Sequence, residues 1–402
     1  MKKFELKNKI KAVYKQNKNT PRVGVCLNFS INEEEKIAGV YYLMARLLMQ
    51  GTKNYTSEQL ANILDLNAIN FNVDIKQDYL RFRFVCLNED FELATELMSE
   101  IISNSTFEEF DKEKVKMNGE MVAELDSARL RALDNYYKNL FENHYYGNTH
   151  TKILETLESI TKKDILDAYE NILNNSEKVL SFVGDIEFER VENVFNKNLA
   201  NLKSDNNVQK TITTPTLKEA KTVEIIKNDA QQAQIIQGWI FPSLKDEMYP
   251  AIVLMNIILG SAGLSSRLFL ELREKKGLAY TVRSLYESNE LCASFSIYIA
   301  TEPKNIQVCL DGFKTEIDKI KNTLVDEVEL ENAKNNLIGR QQFVTETNAQ
   351  QANQLAYYGI MGLDFNFQEK MIDQIRKVTP EQIRKCAQTY FTDKFVISIL
   401  KP

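Results

Sequence analysis

Histidine is scarce in this chain: two residues in 402, His144 and His150. They flank the turn Tyr145–Gly147, and their spacing is no zinc signature, so surface or turn roles are expected of them. Cysteine is sparse too. Five residues, Cys26, Cys86, Cys292, Cys309 and Cys386, are odd in number and scattered, each inside an apolar pattern. That excludes a disulfide framework and predicts buried free thiols in a reducing cytoplasm. Long apolar runs are missing, and the opening MKKFELKNKIKAVYKQ alternates charged and apolar residues. We therefore expect neither a signal peptide nor a membrane anchor there, and a cytoplasmic protein. No basic block is interleaved with aromatics, and 50 basic against 56 acidic side chains leave a net charge of −6, which argues against nucleic acid. The run GSAG at 260–263 lacks the Lys-Ser/Thr continuation of a phosphate loop and follows a helix instead of a strand, which excludes that reading.

What is present is an ordinary globular composition, 44% hydrophobic and 26% charged, long enough for two or more domains. Patterning predicts strands at Ile10–Tyr14 and Val23–Phe29, a helix over Ala38–Met49, a helix from Thr56 to Ile63 and a strand pair at 69–76 and 79–86. A helix over Asp90–Ile102, one long or two short helices in Asp111–Glu142, the helix Lys162–Leu173 and the strand Lys178–Gly184 complete the first half. The polar stretch from Leu202 to Lys218 reads as a linker, and beyond it the order begins again. The second half offers strands at Ala233–Ile240, Leu278–Tyr286, Ala293–Ile299 and Phe395–Leu400. Its helices are expected at Met248–Leu259, Leu268–Lys275, Ile306–Ile320, Asp326–Ile360 and Pro380–Phe391. Trp239 and Phe241, before Pro242, read as core aromatics at a strand end. SITKKDILDAYENIL (159–173) aligns with KVTPEQIRKCAQTYF (377–391), Thr161 on Thr379 and Ile165 on Ile383. The chain is thus an α+β duplication: a first half over 1–203, a linker at 204–217 and a second half over 218–402.

The most informative stretch is LFLELREKKGLAYTV, residues 268–282. Helical spacing ends at Lys275, Gly277 punctuates, and a strand follows, which brings Arg273 and Tyr280 side by side. Five fixed guanidinium donors beside a phenol suit the holding of peptide carbonyls. With LGSAGLSSRLF (Leu259–Phe269) before it, this segment resembles the C-terminal signature of the M16 peptidases, the insulinase, pitrilysin and mitochondrial processing peptidase family. "GVYY…MQGT" and "HYYG…SIT…FVGDI" in the first half are similar to other landmarks of that family.

The resemblance implies two duplicated halves, each an antiparallel-rich sheet packed with helices, often paired with two more to enclose a chamber. It also implies that Arg273 and Tyr280 contact substrate at a site whose zinc is bound in the other half of the enzyme. Active members carry His-x-x-Glu-His shortly before a Gly-Thr, with a third ligand from a downstream Glu. Counted back from Gly51–Thr52, those positions fall on Tyr42, Ala45 and Arg46, one face opposite the apolar stripe. Glu124 matches the downstream ligand, with Glu120 one turn before it. A lone carboxylate cannot hold zinc, and Arg46 places a fixed charge where the metal would sit. The expectation is a salt bridge between Arg46 and Glu124, no zinc or other cofactor in this chain, and zinc only in a partner subunit. The partner would be a zinc-binding M16 chain or a second copy, acting on a peptide. The alternative is a non-peptidase scaffold or peptide-binding protein of the same fold, like the core subunits of respiratory complexes; an active enzyme with some other site lacks any supporting constellation.

Overall fold

The computed structural model describes all 402 residues. In chain order its strands are β1 (Lys2–Glu5), β2 (Lys11–Gln16), β3 (Arg22–Ser30), β4 (Asn70–Ile75), β5 (Tyr79–Leu87), β6 (Lys178–Gly184), β7 (Lys221–Ile226), β8 (Ala233–Phe241), β9 (Ala279–Ser288), β10 (Ala293–Thr301) and β11 (Val396–Lys401). The helices are α1 (Val40–Leu47), α2 (Ser57–Leu66), α3 (Phe91–Asn104), α4 (Phe110–Leu125), α5 (Ala128–Leu140), α6 (His150–Thr156) and α7 (Lys162–Asn174). They continue with α8 (Phe188–Asn198), α9 (Tyr249–Asn256), α10 (Ile306–Asn322), α11 (Glu327–Val344), α12 (Asn348–Ile360), α13 (Phe367–Lys377) and α14 (Pro380–Tyr390).

The two long helical stretches each divide at a cap. Ser127 accepts from Leu130 N at the start of α5. Thr347 and Gln350 form a capping box that begins α12 and stops α11 from running on. Five elements were not expected. β1 and β7 are short, charged outer strands held by pairing, α6 is a helix of only seven residues, and α8 and α13 do carry apolar residues at helical spacing (Val191, Val194 and Phe195; Met371 and Ile375).

One compact unit comprises residues 1–119, 155–212 and 342–367. Its sheet runs β1-β2-β6-β3-β5-β4, antiparallel except for β2 beside β6. Phe91 of α3 anchors one face, its ring 5.3 Å from Phe182 and 5.4 Å from Phe195, edge to face. On the other face α12 lies across β3 and β6, where Ala352, Leu355 and Ala356 bury Cys26 and Val183. The approach is close: Ser181 Oγ donates to Ala352 O at 2.7 Å, and a Cβ on Gly24 would sit 2.7 Å from the Asn348 and Ala349 backbone.

The other unit comprises 120–154, 213–341 and 368–402, with sheet order β7-β11-β8-β10-β9. α9, α10 and α14 pack together on one face, where Trp239 and Phe241 are buried and the Trp239 ring meets Phe391. α5 covers β8 and β11 from the opposite face. Tyr136 there bonds Ser294 Oγ at 2.8 Å, and Asn135 Nδ2 donates to Ser398 Oγ at 3.0 Å. A Cβ on Gly238 would meet the Tyr136 hydroxyl at 2.0 Å. All five cysteines are buried and free, and no helix is long and apolar enough to cross a membrane.

Gly24 and Gly238 are therefore contact points for a helix, and Ala at either should lower stability by about 1–3 kcal/mol through overpacking. Gly119 and Gly339 lie in α4 and α11 with nothing within 4 Å of an added Cβ. Ala at those two should raise stability by about 0.5–1 kcal/mol instead. Urea denaturation of the four single variants checks the contrast.

Candidate functional site

β9 is the outermost strand of its sheet, and its position is set from behind. Ser284 Oγ donates to Asn256, 3.0 Å from its carbonyl and 2.7 Å from Oδ1. Just beyond, the helix widens into a π-helical turn, Ile257–Ser261, whose Gly260 lies against the strand. A Cβ there would fall 2.3 Å from Ser284 N, which accounts for the glycine in LGSAG. A second π-helical stretch, Phe269–Lys275, buries Leu272 and is tied to α11 through Arg267, whose guanidinium grips Glu329 at 2.8 and 2.6 Å. π-helical turns of this kind recur at functional sites.

The stretch ends where Gly277 takes φ +63°, its N–H donating to Arg273 O at 3.0 Å while Leu278 N–H donates to Leu272 O at 2.9 Å. That cap reverses the chain and lays Tyr280 back over Arg273. The guanidinium carbon sits 4.6 Å from the Phe269 ring centroid and 4.7 Å from that of Tyr280. Nη1 donates to Tyr280 O at 2.8 Å. Arg273 thus grips the ring and carbonyl of Tyr280, where the sequence suggested the hydroxyl. Two aromatic faces and one carbonyl hold the charge in place, and the Tyr280 ring stands 79% exposed at the start of the outer strand. What the arrangement presents is an immobilised cation, a phenol and a strand edge.

The face of α1 is different. Glu35 caps this helix, accepting from Gly39 N at 3.1 Å and Tyr41 N at 2.9 Å. Tyr42 and Arg46 are half-buried, but Ala45 is only 3% exposed, so the three do not form one open face. The expected Arg46–Glu124 salt bridge is absent. Arg46 Nε donates to Glu113 Oε1 at 2.8 Å, with Nη2 2.5 Å from the same oxygen. Glu124 is exposed and lies 3.4 Å from His150 Nδ1. The sequence did carry a signal for Glu113: Glu113, Met117 and Met121 are spaced four apart, a carboxylate on the buried stripe of α4. His144, expected in a surface or turn role, is buried in its turn and bonds Thr213 O at 3.0 Å.

Zinc needs three or four neutral or anionic donors at one point. The motif positions supply a phenol, a methyl group and a permanent cation already neutralised by Glu113. No three His, Cys, Asp or Glu side chains are placed to share a metal. These residues do not fit the ion.

Residues 10–154 match the model for Insulinase (Peptidase family M16), and residues 159–337 match that for the Peptidase M16 inactive domain. The chain belongs to peptidase family M16. The "Uncharacterized zinc protease YmxG" of Bacillus subtilis is 24% identical over 100% of this chain and 98% of its own length. The "Non-peptidase homolog YmxG" of Helicobacter pylori is 25% identical over 93% of this chain and 88% of its own. Among solved structures, an M16 inactive domain from Pseudomonas fluorescens superposes with TM-score 0.90 at 22% identity, covering 100% of this chain and 98% of that one. A chain of Complex III2 from Candida albicans gives 0.82 at 15%, covering 99% and 95%. At such identities the superpositions establish the fold.

Rewriting the motif with Tyr42→His, Ala45→Glu and Arg46→His should cost roughly 3 kcal/mol or more, because it buries a new carboxylate and strips Glu113 of its cation. The wild-type chain, dialysed, should carry far less than one zinc. Denaturant titration and elemental analysis are the measurements. A triple variant as stable as wild type and loaded with zinc would contradict the reading.

Proposed function

We propose that this chain is a non-catalytic M16 subunit that holds an extended peptide at Arg273 and Tyr280, while a second chain carrying His-x-x-Glu-His supplies the zinc chemistry. The observation behind the proposal is the clamped Arg273: a cation fixed between Phe269 and Tyr280, beside a ring left 79% exposed. An exposed aromatic that serves only packing has little reason to stand at a strand edge, whereas a peptide docking there would cover it. Guanidinium N–H groups and the phenol can donate to peptide carbonyls. The outer edge of β9 can pair with a peptide backbone. Arg46 of α1 in ion pair with Glu113 of α4 agrees with a division of labour in which the metal lies elsewhere.

The name of the Helicobacter relative, a non-peptidase homolog, supports the absence of catalysis in this chain alone. A second reading, a scaffold without any peptidase role, draws on the likeness to a Complex III2 chain.

The two readings separate in one experiment. With a His-x-x-Glu-His partner co-expressed, Arg273→Ala and Tyr280→Phe should each slow peptide cleavage ten- to a hundredfold, about 1–3 kcal/mol of lost contact, with little change in melting temperature. Unchanged cleavage with a lowered melting temperature would favour the scaffold.

A further inference from the structure

Two arginines of the second unit approach one buried aromatic ring and pair with no carboxylate. Arg129, near the start of α5, and Arg283, on β9, approach the ring of Tyr298 on β10, with guanidinium carbons 5.5 and 5.8 Å from its centroid. Arg283 and Tyr298 are direct cross-strand neighbours. Tyr298 is 4% exposed and its hydroxyl donates to Gln234 Oε1 at 2.6 Å, which fixes the ring. Burial raises the Tyr298 pKa, and the Arg129 charge works against that rise. The Nε of Arg283 is buried and meets no acceptor, an expensive condition for a charged donor. On the same face of β9 the next carboxylate is Glu287, four residues on, and it is engaged by the Tyr137 hydroxyl.

The first unit places a carboxylate beside such a wall, hydrogen-bonded to one of its two arginines and within ion-pair range of the other. Its β4 and β5 correspond to β9 and β10, as the outer strand pair of the sheet on the face that a helix covers. The inner strand of that pair, β5, carries arginines there, Arg81 and Arg83. That pair brings its own anion: Asp74 Oδ2 accepts from Arg81 Nε at 3.1 Å and Nη2 at 2.9 Å, with Arg83 Nε 3.8 Å away. The second unit has the cations without the carboxylate.

We propose that Arg129, Arg283 and the face of Tyr298 form a carboxylate-binding site, filled by an acidic side chain or the C-terminal α-carboxylate of a peptide extended along β9. The proposal rests on the peptide-holding reading of Arg273 and Tyr280. Arg283 lies three residues beyond Tyr280 on the same strand, about 10 Å away at strand rise. A peptide gripped at Tyr280 would therefore bring a carboxylate to Arg283 about three residues from the grip. Two guanidinium forks converging on one anion give the strong, charge-assisted form of hydrogen bond.

Fluorescence anisotropy on the purified chain tests this with three labelled peptides of one extended sequence: neutral and C-terminally amidated, amidated with one interior Glu, and neutral with a free C-terminal carboxylate. One acidic peptide should bind at least fivefold tighter than the neutral one, and which of the two does so identifies the source of the carboxylate. Arg283→Gln and Arg129→Gln together should reduce that preference below twofold while leaving neutral-peptide affinity unchanged. Arg283→Lys should keep part of it, and melting curves confirm that each variant is folded. Equal affinities among the peptides, a preference that survives the double variant, or no binding of an acidic peptide up to about 1 mM would each overturn the proposal. Arg273→Ala should weaken all the peptides alike. If it weakens none while the acid preference and its dependence on Arg283 persist, the earlier reading fails and the carboxylate site stands.

Discussion

A β-sheet with apolar side chains on both faces needs cover on both, and in this protein the second cover is brought in over a glycine. Gly24 and Gly238 leave the gaps into which α12 and α5 settle, close enough that backbone and tyrosine oxygens occupy the space of a missing Cβ. Each helix lies in the opposite half of the chain from the strands it covers: residues 342–367 complete the first unit, and 120–154 complete the second. A chain ending after β6 would leave Cys26, Val183 and their neighbours open to water, at about 25 cal/mol for each Å² of apolar surface. Consistency between distant segments is what makes each core whole.

That construction also positions the chemistry. β9 is held from behind by Asn256 and Gly260, so its outer edge is a rigid rim, and the reversal at Gly277 fixes Arg273 against two rings. An arginine held in this way has already lost much of its side-chain freedom, which lowers the entropic cost of gripping a ligand. The guanidinium of Arg46 is put to a different use. It is satisfied by a nearly buried carboxylate, and the pair occupies the helix face where active relatives would place a metal. One cation is presented and the other is neutralised: Arg46 hydrogen-bonds a nearly buried carboxylate, whereas the only carboxylate near Arg273 is the exposed Glu274, 3.8 Å from its Nε.

The M16 family, the α+β duplication and the adjacency of Arg273 and Tyr280 were legible in the residues, because they depend on local signals. Alternation marks strands, the Leu268–Leu272 spacing marks a helix, and a glycine at Gly277 marks the reversal that sets two side chains seven residues apart next to each other. The missing zinc donors at Tyr42, Ala45 and Arg46 needed only a count from Gly51. Long-range pairing was beyond such signals. Which carboxylate on α4 meets Arg46 depends on how two helices pack, and three turns of α4 separate Glu113 from Glu124; helical periodicity alone offered both. The exchange of α5 and α12 is invisible to periodicity for the same reason, since an amphipathic helix records that it has an apolar face and not which sheet will cover it. The unpaired Arg129 and Arg283 also became visible only when β9, β10 and α5 were brought together. Residues 129 and 283 are joined by no local pattern, and the absence of a carboxylate between them is a property of the packed fold.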